Sequence, residues 1–207
     1  MKKGLRNKII FFTVIVLELV AMLAIYPVGL VRRDVMYSSG DSHEYIYTFP
    51  LYAGDETSQS FIAQGDLLKQ HGFAVIRATE LSEDWTLQYE LRDYGGHVVY
   101  SRLFSAEEIT ESGYRNEELN IRLDKGKIYS YCLKVVNGDG GIGVTLTPNL
   151  EDFTQGLVSF SINDVTYPLQ SFNQFVYSQK LNIKNVVFLW LFLWIVGLGI
   201  LEITYEK

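Results

Sequence analysis

A cysteine and a histidine, two residue types that support nucleophilic chemistry, lie near the middle of this sequence. Cys132 is the single cysteine, and His71 lies 61 residues before it. A catalytic cysteine needs a neighbour that lowers its pKa or orients it, and an electrophilic donor such as arginine. The last arginine, Arg122, precedes the cysteine, so the downstream donor is missing. A half-buried strand position is the simpler interpretation of Cys132.

Other catalytic and metal-binding patterns are absent from the sequence. The preceding residues "YSYC" lack the threonine of a sortase signature, which leaves a sortase-like cysteine transpeptidase as a weak alternative. His43, His71 and His97 are too scattered to predict a metal motif, and no phosphate loop, HExxH or serine elbow occurs. We therefore predict no catalytic residue, no metal and no cofactor. The acids of "EEITE" and "NEEL" are expected on a solvated face.

Aromatic residues are the candidates for ligand binding, because exposed rings can stack against sugars. Tyr94 stands next to a glycine pair, and Tyr114 lies in "ESGYRNE", so both are predicted in exposed loops. These two tyrosines are the predicted ligand-binding residues. Trp85 alternates in phase with Leu87 and Leu91, so it is predicted to belong to the core.

Two apolar runs lie at the ends of the chain. The first extends from Ile9 to Leu30 and contains one charged residue, Glu18, while the second extends from Val186 to Leu201 and contains none. Helices of these lengths reach about 33 and about 24 Å, against a hydrocarbon core of about 30 Å. With its flanks the second run is long enough, so both are predicted to be transmembrane helices.

Glu18 falls near the centre of the first predicted span. A charged acid there costs at least about 2.5 kcal/mol on insertion scales, so it is expected to meet a donor. Trp194 falls at the same depth of an antiparallel second helix, and its indole N–H is one such donor. The other is a group on a second integral membrane protein or on another copy of this chain. Glu18 and Trp194 are therefore the predicted membrane contacts, and a small channel or transporter subunit is the alternative.

Charge flanking the first run predicts the orientation in the cell membrane. Four basic residues precede it, and signal-peptidase cleavage motifs are poor, so an uncleaved anchor with a cytoplasmic N-terminus is expected. Two spans then place both termini in the cytoplasm. The predicted organisation is a basic tail at 1–8, a transmembrane helix at 9–30, an extracytoplasmic domain at 31–184, a second transmembrane helix at 185–203 and a tail at 204–207.

The predicted outer domain is acidic. Residues 31–184 contain 13 Lys and Arg against 21 Asp and Glu, a formal charge of −8. A field of that sign repels nucleic acid and other polyanions, so neutral glycans, cations and proteins remain as partners.

Alternating apolar residues predict that this domain is all β. The pattern is clear in "WTLQYEL", "ELNIRLD", "YSYCLKV" and "IGVTLTP", and glycine-rich turns occur in "DYGGH", "DKGK" and "NGDGGIG". Only "SAEEITES" has helical character, with a serine cap. Many short strands with almost no helix predict an antiparallel β-sandwich of jelly-roll type, flanked by two transmembrane α-helices.

The order of the predicted strands resembles a bacterial β-sandwich ectodomain similar to carbohydrate-binding modules. The segments that carry this resemblance are "SQSFIA", "GFAVIRAT", "WTLQYELRDYGGHVVYSRLFS", "EELNIRLDKGKIYSYCLKVVN" and "GVTLTPN". The resemblance covers residues 58–149. Such ectodomains occur between membrane helices in proteins of surface-polysaccharide assembly. The resemblance implies a non-enzymatic accessory or scaffolding subunit that binds a neutral glycan or a protein, and it transfers no ligand residues.

Overall fold

The computed structural model describes residues 3–25, 32–38, 47–109, 114–148, 156–180 and 182–205. Contacts divide the chain into two compact units, which are Asp34–Ser178 and Met1–Arg33 with Gln179–Lys207. The helices are α1 Lys3–Ile25 and α2 Ile183–Tyr205. The strands are β1 Arg32–Ser38, β2 Tyr47–Leu51, β3 Glu56–Ile62, β4 Leu67–Arg77, β5 Thr86–Arg92, β6 Val98–Ser105, β7 Tyr114–Arg122, β8 Ile128–Asn137, β9 Ile142–Pro148, β10 Leu157–Ile162, β11 Val165–Tyr167, β12 Leu169–Ser171 and β13 Asn173–Lys180.

The strands form two antiparallel sheets. A seven-stranded sheet has the order β1-β13-β4-β9-β12, with β2 also paired to β9 and β7 also paired to β4. A six-stranded sheet has the order β11-β10-β3-β8-β5-β6. Rings from the two sheets meet between them, as where Phe61 of β3 lies 4.5 Å from Phe175 of β13. This confirms the predicted antiparallel sandwich.

The buried face of each strand follows the alternation in the sequence. In β5, Leu87, Tyr89 and Leu91 are buried while the residues between them are partly exposed. Trp85, just before this strand, is fully buried, as predicted. In β7, β8 and β9 apolar residues also alternate along the strand, and they lie in the core or pack against it.

A chain of buried polar side chains lies within this apolar core. Gln59 of β3 donates from Nε2 to the carbonyl of Ser159, 2.9 Å away. Its Oε1 accepts from the backbone N–H of Ser171 at 3.2 Å. The Ser171 hydroxyl in turn hydrogen-bonds the hydroxyl of Tyr131. These bonds join strands of the two sheets, because β3 and β8 belong to one sheet and β12 to the other.

The chain continues through His71, whose ring is fully buried. Asn173 donates from Nδ2 to the carbonyl of Ser171 at 2.6 Å, so its Oδ1 is the atom that faces His71 Nε2, 3.3 Å away. His71 therefore carries its proton on Nε2, and Nδ1 accepts from the Tyr89 hydroxyl at 2.9 Å. Burial lowers the pKa of His71 to about 3, so the ring is neutral.

An ion-pair network closes one side of the sandwich, where β6 of one sheet meets β7 of the other. Glu117 is 2% exposed, and its carboxylate accepts from Arg102 Nη1 at 2.6 Å and from the hydroxyl of Tyr100. Burial and this carboxylate raise the pKa of Tyr100 to about 12. Arg102 also pairs with Glu108, which pairs with Arg115. The prediction that "NEEL" lies on a solvated face is wrong at Glu117, because Glu117 is buried. Hydrogen bonds from Tyr100 and Arg102 compensate for the cost of burying its charge.

Turns connect the strands where the glycine-rich sequences predicted them. Gly126, between β7 and β8, has φ +84°, and Gly140, between β8 and β9, has φ +100°. The predicted helix in "SAEEITES" is only a short 3-10 turn, Ala106–Glu108, capped by Ser105. Residues 110–112 of that prediction lie outside the described part of the chain.

Replacing Gly140 with alanine is expected to destabilise the sandwich much more than the same change at Gly126. A Cβ at Gly140 would lie 2.1 Å from the Glu80 carbonyl oxygen, whereas one at Gly126 would meet nothing within 4 Å. Left-handed backbone alone costs about 1–2 kcal/mol, so we expect about that for Gly126→Ala and more than about 3 kcal/mol for Gly140→Ala. Urea unfolding of the two variants measures the difference. Equal losses would contradict this account.

The helical unit contains α1 and α2. Along α1 the half-buried residues are Phe11, Ile15, Leu19 and Met22, and their spacing defines one stripe. Phe11 contacts Trp194 of α2 edge to face, with ring centroids 5.1 Å apart. Helix α1 begins six residues before the predicted span at 9–30, and α2 extends two residues beyond each end of 185–203.

A helix that crosses a membrane needs about 20 consecutive, mostly apolar residues. Among the described residues, no helix is long and apolar enough to be a span. This finding does not confirm the two predicted transmembrane helices, which stay a prediction.

Candidate functional site

Cys132 and His71 belong to different layers of the sandwich. The His71 ring lies in the core, 4.3 Å from the ring of Tyr131. Tyr131 and Cys132 are consecutive on β8, so their side chains point to opposite faces of the six-stranded sheet. Cys132 thus points away from His71, and the cysteine–histidine pair that a transpeptidase needs is not formed. Burial raises the pKa of the Cys132 thiol, which favours the unreactive protonated form.

The outer face of the six-stranded sheet carries a polar cleft beside β3 and β10. Its volume is about 320 Å³, and short or hydrophilic residues line it. These residues are Gly54, Glu56, Ser58, Ser161, Asn163 and Asp164. The lining combines hydroxyl and amide donors with carboxylate and carbonyl acceptors, which suits a ligand that both donates and accepts hydrogen bonds.

The β10–β11 turn holds one wall of the cleft. Asn163 and Asp164 have φ +47° and +65°, the left-handed pair of a tight hairpin turn. The Asn163 side chain accepts from the backbone N–H of Glu56 at 2.9 Å and donates to Asp55 at 2.8 Å. The backbone N–H of Asn163 also donates to the Glu56 carbonyl at 2.9 Å. These bonds fix the wall before any ligand arrives.

Ion pairs orient the acidic side chains next to the cleft. Arg92 of β5 bonds Glu56 Oε1 at 3.0 Å and Glu90 Oε2 at 2.8 Å. Cys132 lies in register between Ser58 and Glu90, and its thiol donates to the Ser58 hydroxyl at 3.5 Å. The polar cleft is thus one end of a wider polar surface across β3, β8 and β5.

A second cavity, of about 400 Å³, is lined by Tyr47, Thr48, Phe49, Leu146 and Leu169. Its described lining is mainly apolar, and only the Thr48 and Tyr47 hydroxyls offer side-chain hydrogen bonds. The polar cleft is therefore the better candidate for a hydroxyl-rich ligand.

The predicted ligand-binding tyrosines do not line this cleft. Tyr94 is 69% exposed in the β5–β6 turn, as predicted, and the Lys127 ammonium lies 5.5 Å from its ring centroid. A sugar stacking on that side of the ring would displace Lys127. Tyr114 begins β7, but its side chain lies outside the described residues. Ligand binding at both positions stays a prediction.

Of the predicted membrane contacts, Glu18 is exposed and Trp194 contacts Phe11. Phe11 precedes Glu18 by seven residues, about 10 Å along the helix axis. Trp194 is therefore level with Phe11, not with Glu18.

Sequence reasoning missed the cleft residues because each is a common surface type. A weak signal was present: Glu56, Ser58 and Ser60 alternate with buried residues in "ETSQSFI", and "ND" interrupts a strand pattern. Neither signal shows that residues more than 100 positions apart form one wall.

No protein-family profile and no curated protein matches this sequence. Among solved structures, TmCBM61 in complex with beta-1,4-galactotriose is 16% identical, covering 66% of this chain and 92% of that one, with a TM-score of 0.31. The infectious bursal disease virus VP2 subviral particle is 14% identical, covering 72% of this chain and 33% of that one, at a TM-score of 0.31. Bacteriophage CBA120 tailspike protein 4 is 12% identical, covering 64% and 18%, also at 0.31. Likenesses this weak carry no argument about function.

Proposed function

We propose that the sandwich binds a neutral glycan in the polar cleft, and that the chain is a non-enzymatic accessory subunit of cell-envelope polysaccharide assembly. The observation that carries the glycan proposal is the cleft itself, whose lining offers donors and acceptors on a wall held by Asn163. Sugar hydroxyls donate and accept at once, so paired donor and acceptor groups suit them. The acidic charge of residues 31–184 disfavours a polyanionic glycan.

Filling the cleft is expected to remove glycan binding. Ser161→Leu places a larger apolar side chain in the lining and leaves sugar hydroxyls without partners, so we expect at least about a tenfold loss of affinity. The measurement is binding of the full-length chain, in mild detergent, to an array of neutral gluco-, galacto- and manno-oligosaccharides, with a sulfated glycan included.

The matched control is Ser101→Leu, on β6 of the same sheet and outside the cleft lining. It should bind as the native chain does. Equal binding by both variants would place the ligand elsewhere. If the native chain binds only the sulfated glycan, or none, the proposal of a neutral glycan is rejected.

We further propose that α1 and α2 anchor the sandwich in the cell membrane, with both termini in the cytoplasm and the sandwich outside. The two apolar runs of the sequence, one without any charge from Val186 to Leu201, support this proposal. Alkaline extraction should leave the chain in the membrane pellet, and protease added outside intact cells should cleave the sandwich. Release by alkali, or protection of the sandwich in intact cells, would overturn the anchoring or the orientation respectively.

A further inference from the structure

Strand β10, which carries Ser161 of the polar cleft, contains a β-bulge. Leu157 pairs with Phe61, and Ser159 pairs with Ser60, so two steps along β10 match one step along β3. The residue between Leu157 and Ser159 is therefore an extra one. An extra residue of this kind changes the face to which the following side chains point.

The bulge determines the face of the sheet on which Ser161 lies. Leu157, Phe160 and Ile162 are all buried. In a regular strand Leu157 and Phe160 would point to opposite faces, because they are three positions apart. With the bulge both point into the core, so Ser161 points outward and lines the cleft in register with Ser58. Without the bulge, the register set by Leu157 would turn Ser161 into the core.

Gln59 supports the bulge from the core side. It is the residue of β3 that pairs with Phe160, and its side chain is buried. Its Nε2 donates to the carbonyl of Ser159 at 2.9 Å and to that of Ser60 at 3.0 Å, which are the two residues paired at the bulge. A bulge disrupts the ladder of backbone hydrogen bonds, so backbone groups beside it need other partners. The Gln59 amide therefore stabilises the bulged form of β10.

The opposite sheet fixes the orientation of this amide. Gln59 Oε1 accepts from the backbone N–H of Ser171 on β12 at 3.2 Å, which directs Nε2 toward the bulge. The Asn163 side chain holds the other end of β10 through its bond with Glu56. Strand β10 is thus held on both sides of Ser161, by Gln59 at the bulge and by Asn163 at the β10–β11 turn.

We infer that Gln59 is a positioning residue of the glycan cleft, which holds the β10 bulge from within the core and so directs the Ser161 hydroxyl into the cleft. This inference rests on the proposed glycan binding. Gln59 is 1% exposed, so it acts on the glycan only through β10. Its hydrogen bonds are formed before a glycan arrives, and binding therefore does not need to order this strand.

Replacing Gln59 with methionine is expected to weaken glycan binding about tenfold. Methionine keeps the length of the side chain but cannot donate to the Ser159 carbonyl, so the strand that carries Ser161 loses its support. The measurement is binding of the full-length chain, in mild detergent, to the neutral gluco-, galacto- and manno-oligosaccharides. It is made at a temperature at which near-UV circular dichroism shows that each variant is folded.

The matched control is Asn173→Leu, which removes another buried amide of the same chain of polar side chains. Asn173 lies on β13, where it donates to the Ser171 carbonyl and faces His71. Its loss should also lower the free energy of unfolding. The folded variant should nevertheless bind the oligosaccharides as the native chain does. An equal loss of affinity in Asn173→Leu and Gln59→Met would assign the effect to the core in general and overturn the inference.

A double-mutant cycle tests whether Gln59 acts through Ser161. In a Ser161→Ala background, Gln59→Met should change the affinity by less than about twofold. The same tenfold loss with and without the Ser161 hydroxyl would overturn the positioning role. If Gln59→Met does not fold, Gln59→Asn takes its place in the cycle. It keeps the amide but is one methylene shorter, so it should also weaken binding only while the Ser161 hydroxyl is present.

The native chain distinguishes failure of this inference from failure of the proposed function. If the native chain binds none of the neutral oligosaccharides, the proposed function falls and the inference falls with it. If the native chain binds them and the folded Gln59 variant binds equally well, only the inference is rejected.

Discussion

Replacing Arg102 with methionine is expected to destabilise the sandwich by about 3–5 kcal/mol, because it leaves a buried carboxylate without its cation. Glu117 is 3% exposed in its side chain, and Arg102 Nη1 is its charged partner at 2.6 Å. Methionine retains most of the contact that the arginine makes over the Phe104 ring. Urea unfolding of the full-length chain, followed by near-UV circular dichroism, measures the loss.

Two further variants make this prediction specific. Adding Glu117→Leu to Arg102→Met removes the stranded charge, so the double variant should be more stable than Arg102→Met alone. Lys69→Met breaks an exposed pair with Asp34, in which the side chains are 42% and 50% exposed, and should cost less than about 1 kcal/mol. A double variant less stable than the single one would show that Arg102 acts through packing instead of charge.

The second large effect is a loss of stability in mild acid caused by His71. The folded state holds its pKa at about 3, against 6.5 for a free histidine, so only the unfolded chain takes up this proton between those values. Stability is therefore complete above pH 6.5 and falls toward pH 3 by about 1.4 kcal/mol per pH unit from this group. Unfolding free energies between pH 7 and pH 5 measure the slope, before most carboxylates titrate.

Two single variants, each replacing one histidine with glutamine, test whether His71 causes this slope. His71→Gln keeps a donor and an acceptor near Asn173 and Tyr89 but does not titrate, so the slope between pH 7 and pH 5 should flatten. His97→Gln changes a side chain that is 83% exposed in the β5–β6 turn, and the slope should persist. An unchanged slope in His71→Gln would assign the acid sensitivity to other groups.

The strands were predictable because apolar and polar residues alternate along each of them, and the apolar ones mark its buried face. Leu87, Tyr89 and Leu91 identify the inner face of β5 without any knowledge of its neighbours. The same alternation does not indicate which distant strands pair or pack against each other. Glu117 has the sequence context of a surface acid, and its burial follows from the approach of Arg102 on β6. For the same reason the sequence could not predict the hydrogen bond between Asn163 and Glu56, which are 107 positions apart.

The side of the sandwich closed by Glu117 and Arg102 also bears on behaviour at high protein density. Strand β6 is the last strand of its sheet, and its outward residues Val98, Val99 and Leu103 are 42–59% exposed. A bare edge of this kind invites strands from neighbouring molecules. A strand added there would desolvate Arg102 and Glu108, which are 39% and 32% exposed in their side chains. Crowded copies are thereby discouraged from joining edge to edge into a continuous sheet.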